Sequence, residues 1–502
     1  MKLNFIMTKT MIKKNFTYLN LLFALLLNYS CSESYKTQQD VASQAAIYPD
    51  YYDVTIPRTI SPLNFTVTDS ADIYLFNFND SNGKSLFSIK SKSGDSDIPF
   101  NKWKEAIADN SIDYLNVEIS VIRDGVKYNY EPMRINISND AIDSHIAYRL
   151  INPGYVYWGK MGIYQRDITS FNETSIIIND ETDNGCMNCH TFHQNSPDRF
   201  LFHLRQYYAG TVISINGRTE RFDMKTGSMM GQTVYPAWHP GGRYIAFSTN
   251  VTRQIMHLTG DKPIEVFDSN SDIVIYDTQK SILFSDELIY DPMMAESFPT
   301  WSNDGKYLYF VSTKRNEDNM IEPLSLKYNL YRVAFDAETE TFSDYELIFD
   351  ASVLDMSVAI PRTFHDGEKV SFSMSNYGTF SIWHKEADLY SIDLNTRQLE
   401  NLEILNSDES ESYRGFSSNG NWVVFTSRRD DGLYSNLYIA HYSKESGEFS
   451  KPFMLPQKNA EYNYLNERSY NVPEFITGEV DRNLLKDVKE GIALPIENGK
   501  GI

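Results

Sequence analysis

The chain has 502 residues and carries 46 Lys and Arg against 67 Asp and Glu, a formal net charge of −21. This acidic balance excludes the usual nucleic-acid binders, which need a basic face, and disfavours docking on anionic lipid through a basic patch. Hydrophobic residues at 41% indicate a folded globular protein, 14% aromatic residues favour β-sheet, and three cysteines are too few for a disulfide framework.

Residues 1–30 predict a secretory signal of the lipoprotein type. Four lysines precede a short apolar run at 19–27, and small and polar residues then lead to Cys31. The run is too short to span a bilayer. We therefore expect Cys31 to be acylated, with 31–49 as a polar linker that tethers the protein to the cell envelope, as in outer-membrane lipoproteins. The alternative is an ordinary signal peptide in which Cys31 is incidental.

Residues 50–155 predict a β-sandwich-like domain. Short segments alternate between apolar and polar residues, as in Ile73–Phe76 and Val117–Val121, and turn residues such as Asp124-Gly125 separate them. One short helix is predicted at Phe100–Ala108.

A motif recurs four times beyond residue 190. Each copy is a strand that ends in an aromatic residue, a turn rich in Gly or Asn, and a second strand, and a further strand pair follows. The aromatic positions are Trp238, Trp301, Phe364 and Phe416, spaced 63, 63 and 52 residues apart. Four strands per repeat of this length predict the blades of a β-propeller.

The segment Pro299–Lys306 reads Pro-Thr-Trp-Ser-Asn-Asp-Gly-Lys. It resembles the repeat of the TolB-like propeller family, Pro-x-Trp-Ser-Pro-Asp-Gly-Lys followed by a strand, and the resemblance covers about 190–460. It implies a six-bladed TolB-like β-propeller, which we assign to 156–477. Together with the N-terminal β-sandwich, this predicts an all-β fold. The resemblance also implies a periplasmic binding scaffold without catalysis. We expect 478–502 to be a frayed C-terminal tail.

One motif in the sequence is typical of cofactor attachment. Cys186-Met-Asn-Cys189-His190 is the c-type haem attachment pattern, in which two thiols bind the haem vinyl groups and the adjacent histidine ligates the iron. We predict one covalent haem c per chain, with thioethers at Cys186 and Cys189 and His190 as proximal ligand. The alternatives are a thiol pair or disulfide, and a zinc site completed by His193.

The haem motif also aligns with the propeller repeat. Phe192 precedes Trp238 by 46 residues, so the motif predicts a fifth blade in which His190 takes the place of Pro236. The second iron ligand is less specified. His193, His239 and His365 each follow the repeat aromatic, and we rank His239 first as distal ligand. His203 and the methionines Met224, Met229 and Met230 are rivals, and solvated loop histidines are the alternative.

Three functions remain open on this sequence. The first is an exported haem-bearing propeller lipoprotein that transfers electrons or senses redox state in the periplasm or at the outer membrane, with a redox or envelope protein as partner. The second is a non-redox binding scaffold of the TolB type. The third is a haem peroxidase-type enzyme, which an open distal site would favour. No nucleic-acid partner is expected.

Overall fold

The computed structural model describes residues 35–152, 159–227, 229, 231–257, 264–315, 326–482 and 484–501, so Cys31 and Met230 lie outside it. The N-terminal domain has nine strands and one helix: β1 Thr37–Gln44, β2 Ile47–Tyr48, β3 Val54–Pro57, β4 Thr66–Val67, β5 Ile73–Asn79, β6 Ser85–Ser91, α1 Phe100–Ala108, β7 Tyr114–Arg123, β8 Val126–Glu131 and β9 Met133–Ser138. Seven of these strands form one sheet in the order β1-β8-β7-β5-β6, in which β9 joins β7 to β3, while β2 and β4 form a separate ladder.

Helix α1 confirms the helix predicted from the sequence. It starts directly after Pro99, whose fixed φ suits a helix start, and it buries Trp103, Ala106 and Ile107 on one face. The Trp103 indole Nε1 donates a hydrogen bond to the Ile60 carbonyl at 3.0 Å.

The remaining elements follow in chain order: β10 His145–Ile151, β11 Met161–Asp167, β12 Glu173–Ile178, β13 Met187–Phe192, β14 Arg199–Leu204, β15 Gly210–Ile215, β16 Arg218–Asp223, β17 Gln232–Trp238, β18 Tyr244–Met256, β19 Ile264–Asp277, β20 Ile282–Phe284, β21 Met294–Trp301, β22 Tyr307–Lys314, β23 Asn329–Asp336, β24 Thr341–Phe349, β25 Ser357–Thr363, β26 Lys369–Ser375, β27 Asp388–Asp393, β28 Leu399–Asn401, β29 Glu411–Phe416, β30 Trp422–Ser427, β31 Asn436–Ser443, β32 Glu448–Phe449, β33 Phe453–Met454, α2 Tyr462–Leu465, β34 Ser469–Ile476, α3 Leu484–Glu490, β35 Leu494–Pro495 and β36 Glu497–Asn498.

These strands form a six-bladed propeller. Blade 1 has the order β34-β10-β11-β12, and blades 2 to 6 begin with β13, β17, β21, β25 and β29 as their innermost strands. The innermost strands of neighbouring blades contact one another, and β34 closes the ring by completing blade 1 from the C-terminal side. The predicted all-β architecture with six blades is therefore confirmed.

Three predicted boundaries need correction. The propeller starts at β10, before residue 156, because β10 pairs with β11 and β34 and not with the N-terminal sheet. Part of the predicted linker 31–49 is strand, since β1 pairs in parallel with β8. The tail after residue 477 is not frayed: β35 and β36 add parallel edge strands to blades 2 and 3.

The N-terminal domain and the propeller share one apolar core. Buried residues of the N-terminal sheet pack against buried residues of blades 6 and 1, including Trp422, Ile439 and Phe475. Among the described residues, no helix is long and apolar enough to cross a membrane.

Candidate functional site

An irregularity in the innermost strands sets the geometry of the central channel. In all six blades the pairing of this strand is interrupted by a bulge, in blade 2 between Asn188 and Thr191 and in blade 3 between Val234 and Ala237. Five blades place one bulge residue at positive φ, which turns the chain locally. These residues are Cys189, Tyr235, Phe298, Ile360 and Val472, with φ of 52°, 47°, 51°, 54° and 47°.

The residue after the positive φ is proline in four blades. A bulge residue has no ladder hydrogen bond to lose, so proline is tolerated there. The prolines are Pro236, Pro299, Pro361 and Pro473. Blade 2 has His190 in this place, as the sequence alignment predicted, and blade 6 has Arg414, counted back from the aromatic Phe416.

Arg414 and His190 differ in how their polar atoms are used. The buried Arg414 guanidinium donates to the Ser371 hydroxyl at 2.8 Å, to the Ile360 carbonyl at 2.7 Å and to the Ser412 carbonyl at 3.0 Å. His190 is only 2% exposed, and neither of its ring nitrogens makes a hydrogen bond of good geometry, although the Ala147 and Val472 carbonyls lie close enough to act on it. The Arg414 guanidinium therefore holds neighbouring blades together, whereas His190 makes only these weaker contacts with the backbone.

Burial decides the protonation of the haem motif. Desolvation lowers the pKa of His190 to about 3; the Arg149 charge reinforces this effect and the Val472 and Ala147 carbonyls partly oppose it, so the imidazole is neutral at pH 7. Desolvation also raises the pKa of the Cys189 thiol. Cys186 and Cys189 are both half-buried and free, without a disulfide between them.

Cys189 and His190 belong to the wall of the central channel. This cavity has a volume of about 390 Å³, and all six innermost strands contribute to it through Cys189, Tyr235, Phe298, Arg362, Tyr413 and Val472. The long hairpin of β18 and β19 also reaches it through Thr252, Gln254 and Ile264. Cys186 lies just before β13, where its carbonyl accepts a hydrogen bond from the Arg205 backbone N–H at 2.9 Å.

The structure does not bring His239 to His190. His239 lies in the turn after β17, at the opposite end of the innermost strand from Cys186. Its Nε2 is 3.0 Å from the Gly305 carbonyl, and its Nδ1 accepts from the Gly241 N–H at 3.0 Å. The rival His193 makes the equivalent contact one blade earlier, with Nε2 2.9 Å from the Pro240 carbonyl.

The other rivals also lie outside the channel wall. His203 is buried on β14, with Nδ1 2.8 Å from the Thr211 hydroxyl, and it packs against Phe247 of blade 3. Met224 and Met229 belong to the apolar core between blades 2 and 3. Among the described residues no three His, Cys, Asp or Glu side chains are arranged to hold a metal ion, so the zinc alternative with His193 is not assembled.

Comparisons with known proteins concern the fold alone. No protein-family model matches the chain, and no curated protein matches it significantly. Solved structures with a similar arrangement include an oligogalacturonate lyase in complex with manganese, at 10% identity and a TM-score of 0.34, over 62% of this chain and 74% of that one. Another is the tricorn protease, at 13% identity and a TM-score of 0.34, over 68% of this chain and 34% of that one.

A dipeptidyl peptidase 4 from Porphyromonas gingivalis is a third, at 11% identity and a TM-score of 0.28, over 84% of this chain and 60% of that one. At these identities no activity transfers to this protein.

Sequence reasoning missed four of those residues. Arg149, Arg205, Arg362 and Arg428 all line the channel, in a protein whose net charge is −21. They come from four different blades and share no sequence motif. Arg362 and Arg414 both lie close to the repeat aromatic, in blades 5 and 6. The sequence does not distinguish them, but in the closed ring only Arg362 of these two lines the channel.

Proposed function

We propose that this protein is an exported, lipid-anchored propeller that carries one covalent haem c beside its central channel and serves electron transfer or redox sensing at the cell envelope. Cys186 and Cys189 would form the thioethers, and His190 would be the proximal ligand. The observation that carries the proposal is His190: a buried, neutral imidazole whose nitrogens make no hydrogen bond of good geometry, close in the chain to two free thiols, in a place where four other blades have proline.

A buried polar group without a good hydrogen bond destabilises a folded protein. Burying such a group without a hydrogen bond costs about 1–3 kcal/mol, so buried polar atoms in folded proteins are nearly always paired. Proline at the same bulge avoids this cost. A neutral imidazole nitrogen is also the form that ligates iron, and lowering its pKa to about 3 keeps it free of a competing proton.

When bound, the haem would supply reversible one-electron chemistry. The chain's own residues would do the rest. The bulge at Cys189 presents two consecutive residues, Cys189 and His190, to the same cavity. The aromatic rings of Tyr235 and Phe298, which stack with centroids 3.9 Å apart, would limit access of water from the adjoining wall of blades 3 and 4.

The test is protein produced in cells that attach haem. Mass spectrometry should show an added mass of about one haem, roughly 616 Da, and a pyridine haemochrome spectrum should confirm two thioether links. Cys186→Ala together with Cys189→Ala should abolish both. Unmodified mass in the unaltered protein would overturn the proposal and leave the binding scaffold of the TolB type.

A separate variant tests the axial ligand. His190→Pro restores the residue that other blades carry at this bulge, so we expect a folded protein that keeps its thioethers but loses the spectrum of a histidine-ligated haem. The matched control is His203→Gln, because His203 is also buried, with its pKa lowered to about 3 by desolvation, yet lies outside the channel. An unchanged spectrum in His190→Pro would exclude His190 as the ligand.

Membrane attachment is tested at Cys31, which lies outside the described residues. Cys31→Ser should move the protein from the membrane fraction to the soluble fraction and abolish labelling with palmitate, because a single acylated cysteine would be the anchor. Haem attachment should be unaffected in this variant. Sedimentation with membranes and continued labelling would contradict the lipoprotein assignment.

One observation favours a second candidate, a haem enzyme of the peroxidase type. The described channel wall contains His190 but no second histidine and no methionine. A haem held there would keep an open position for a small ligand, whereas electron-transfer haems usually have two protein ligands. Cyanide or imidazole should then shift the Soret band of the haem-loaded protein, and an unshifted band would favour electron transfer.

A further inference from the structure

The charge of the channel wall is uneven. Arg362, Arg428, Arg149 and Arg205 belong to blades 5, 6, 1 and 2, which are consecutive around the ring, and no Asp or Glu is among the described lining residues. The wall from blades 3 and 4 has no charged side chain and consists mainly of apolar groups, including Tyr235, Phe298, Ile264 and Val266. One half of the channel is therefore cationic and the other half apolar.

None of the four arginines forms an ion pair within the described part of the chain. The Arg428 side chain is 5% exposed and packs over the Trp383 ring at 3.6 Å, and its Nε has no partner. Arg362 donates to the adjacent Pro361 carbonyl at 2.9 Å and interacts with the charge of Glu474 without forming an ion pair. Arg149 donates to the Met187 carbonyl at 3.3 Å while its Nε is buried and unpartnered.

Guanidinium groups that lack a direct ion pair are unfavourable in a cavity. A cation withdrawn from water needs a counter-charge in contact with it, and here the acidic groups act without an ion pair, Glu474 on Arg362 and both Asp431 and Glu409 on Arg428. Arginine is also the side chain best suited to bind carboxylates, because its planar fork donates two parallel hydrogen bonds. The lack of direct partners at the channel wall therefore points to a ligand.

We infer that the channel binds a ligand with a flat apolar body and at least two carboxylates, with the carboxylates on Arg362, Arg428, Arg149 and Arg205 and the apolar body against Tyr235 and Phe298. Two sources share this chemistry. One is the covalent haem proposed above, through its two propionates, and the other is a free aromatic dicarboxylate. The inference does not depend on haem attachment.

The experiment uses the Cys186→Ala, Cys189→Ala protein, which cannot attach haem. The probe is deuteroporphyrin IX, which has two propionates but neither iron nor vinyl groups, and the matched probe is its neutral bis-amide. Titration followed by porphyrin fluorescence should show at least about tenfold weaker binding of the bis-amide, because the charge-assisted hydrogen bonds are lost.

Arg362→Gln with Arg428→Gln, added to the same background, should weaken binding of the acid by about tenfold or more and leave the bis-amide unchanged. The control is Arg253→Gln. Arg253 lies on β18 between Thr252 and Gln254, which line the channel, but is not itself part of the wall. If the double variant does not fold, Arg205→Gln replaces it, since Arg205 is exposed at the channel mouth.

Equal binding of the two probes, or unchanged binding by the arginine variants, would overturn the inference. Haem-loaded wild-type protein then separates the two sources. If it no longer binds deuteroporphyrin or naphthalene-2,6-dicarboxylate, the haem propionates occupy the arginines. If it still binds the naphthalene diacid, the ligand is a free one. If the wild-type protein carries no haem but the Cys186→Ala, Cys189→Ala protein still binds deuteroporphyrin, the proposed haem function is refuted and the ligand-binding inference stands.

Discussion

The histidines in the turns after the innermost strands join neighbouring blades. His239 reaches the turn of blade 4, where a Cβ on Gly305 would lie 2.4 Å from its Nε2, and His193 reaches the turn of blade 3 beside Gly242 in the same way. Each imidazole also packs edge-on against the next blade's tryptophan, with ring centroids 4.9 Å apart for His239 and Trp301. The glycines combine positive φ with room for the histidine.

We predict that His239→Ala lowers the free energy of unfolding by about 2 kcal/mol, because two hydrogen bonds and three aromatic contacts are lost. Urea unfolding measures this. The spectrum of the proposed haem should not change, since neither ring nitrogen is free for iron. His365→Ala is the control, as His365 follows the repeat aromatic of blade 5 but is exposed. An altered spectrum in His239→Ala would restore His239 as a ligand.

Glu296 is a second buried group with incomplete pairing. It lies on β21, is 1% exposed, and its Oε2 has no partner. Asp272 is a neighbour that pairs with Arg315 at 2.6 Å. Desolvation, with a smaller contribution from Asp272, raises the pKa of Glu296 to about 8.

This shift makes stability fall with rising pH. Between pH 4.5 and 8 the folded state keeps the Glu296 proton while the unfolded state has lost it, so the contribution is complete below pH 4.5 and is lost on passing pH 8. Glu296→Gln should therefore reduce the difference in unfolding free energy between pH 5 and pH 9 by on the order of 3 kcal/mol. An unchanged difference in denaturant unfolding at the two pH values would show that Glu296 is ionised in the fold.

At the scale of elements, the sequence repeat correctly predicted most of the propeller blades. The aromatic position and glycine turn located blades 3 to 6, and the haem motif located blade 2. Trp238 and Trp301 occupy equivalent environments, each buried against the histidine of the preceding blade. Blade 1 was not predicted, because its innermost strand β34 keeps Val472-Pro473 but pairs with β10 from much earlier in the chain, so no hairpin partner follows it. Alternation also cannot tell which sheet β10 joins.

Two C-terminal truncations should have very different effects on folding. Removal of 491–502 deletes β35 and β36, which pair only with the outer edges of blades 2 and 3, so the protein should fold with a melting temperature lowered by a few degrees. Removal of 468–502 deletes β34, whose Tyr470, Phe475 and Ile476 are buried, and leaves the ring open. We expect no folded protein from the second variant, measured by circular dichroism. A cooperative transition in it would show that blade 1 closes without β34.

At the scale of the whole molecule, the sequence predicted the blade that contains the Cys-x-x-Cys-His motif but not the residues that surround this motif. Cys186, Cys189 and His190 are adjacent in the chain, so their spacing carries the signal. The distal histidines were ranked on repeat position alone, and the side-chain direction that places them between blades follows only from packing. The four channel arginines become neighbours only when the propeller ring closes. A local sequence pattern contains no information on this long-range arrangement.

The closed propeller and the N-terminal domain form one structural unit. Trp422 of blade 6 is fully buried under the N-terminal domain and donates its indole N–H to the Asp140 carbonyl at 3.3 Å. Asp143 accepts hydrogen bonds from the Ser418 backbone N–H at 2.7 Å and from its hydroxyl. Without the N-terminal domain, this face of blade 6 would expose a large apolar surface.

We therefore predict a single unfolding transition for the whole chain. Hydrogen exchange during denaturant unfolding should show protection lost together in β7 of the N-terminal sheet and in β30 of blade 6. Trp422→Ala should lower the unfolding free energy of both by the same amount, about 3–5 kcal/mol, because a cavity opens in their common core. If β7 kept its protection while β30 lost it, the two domains would be independently stable and the shared core would not couple them.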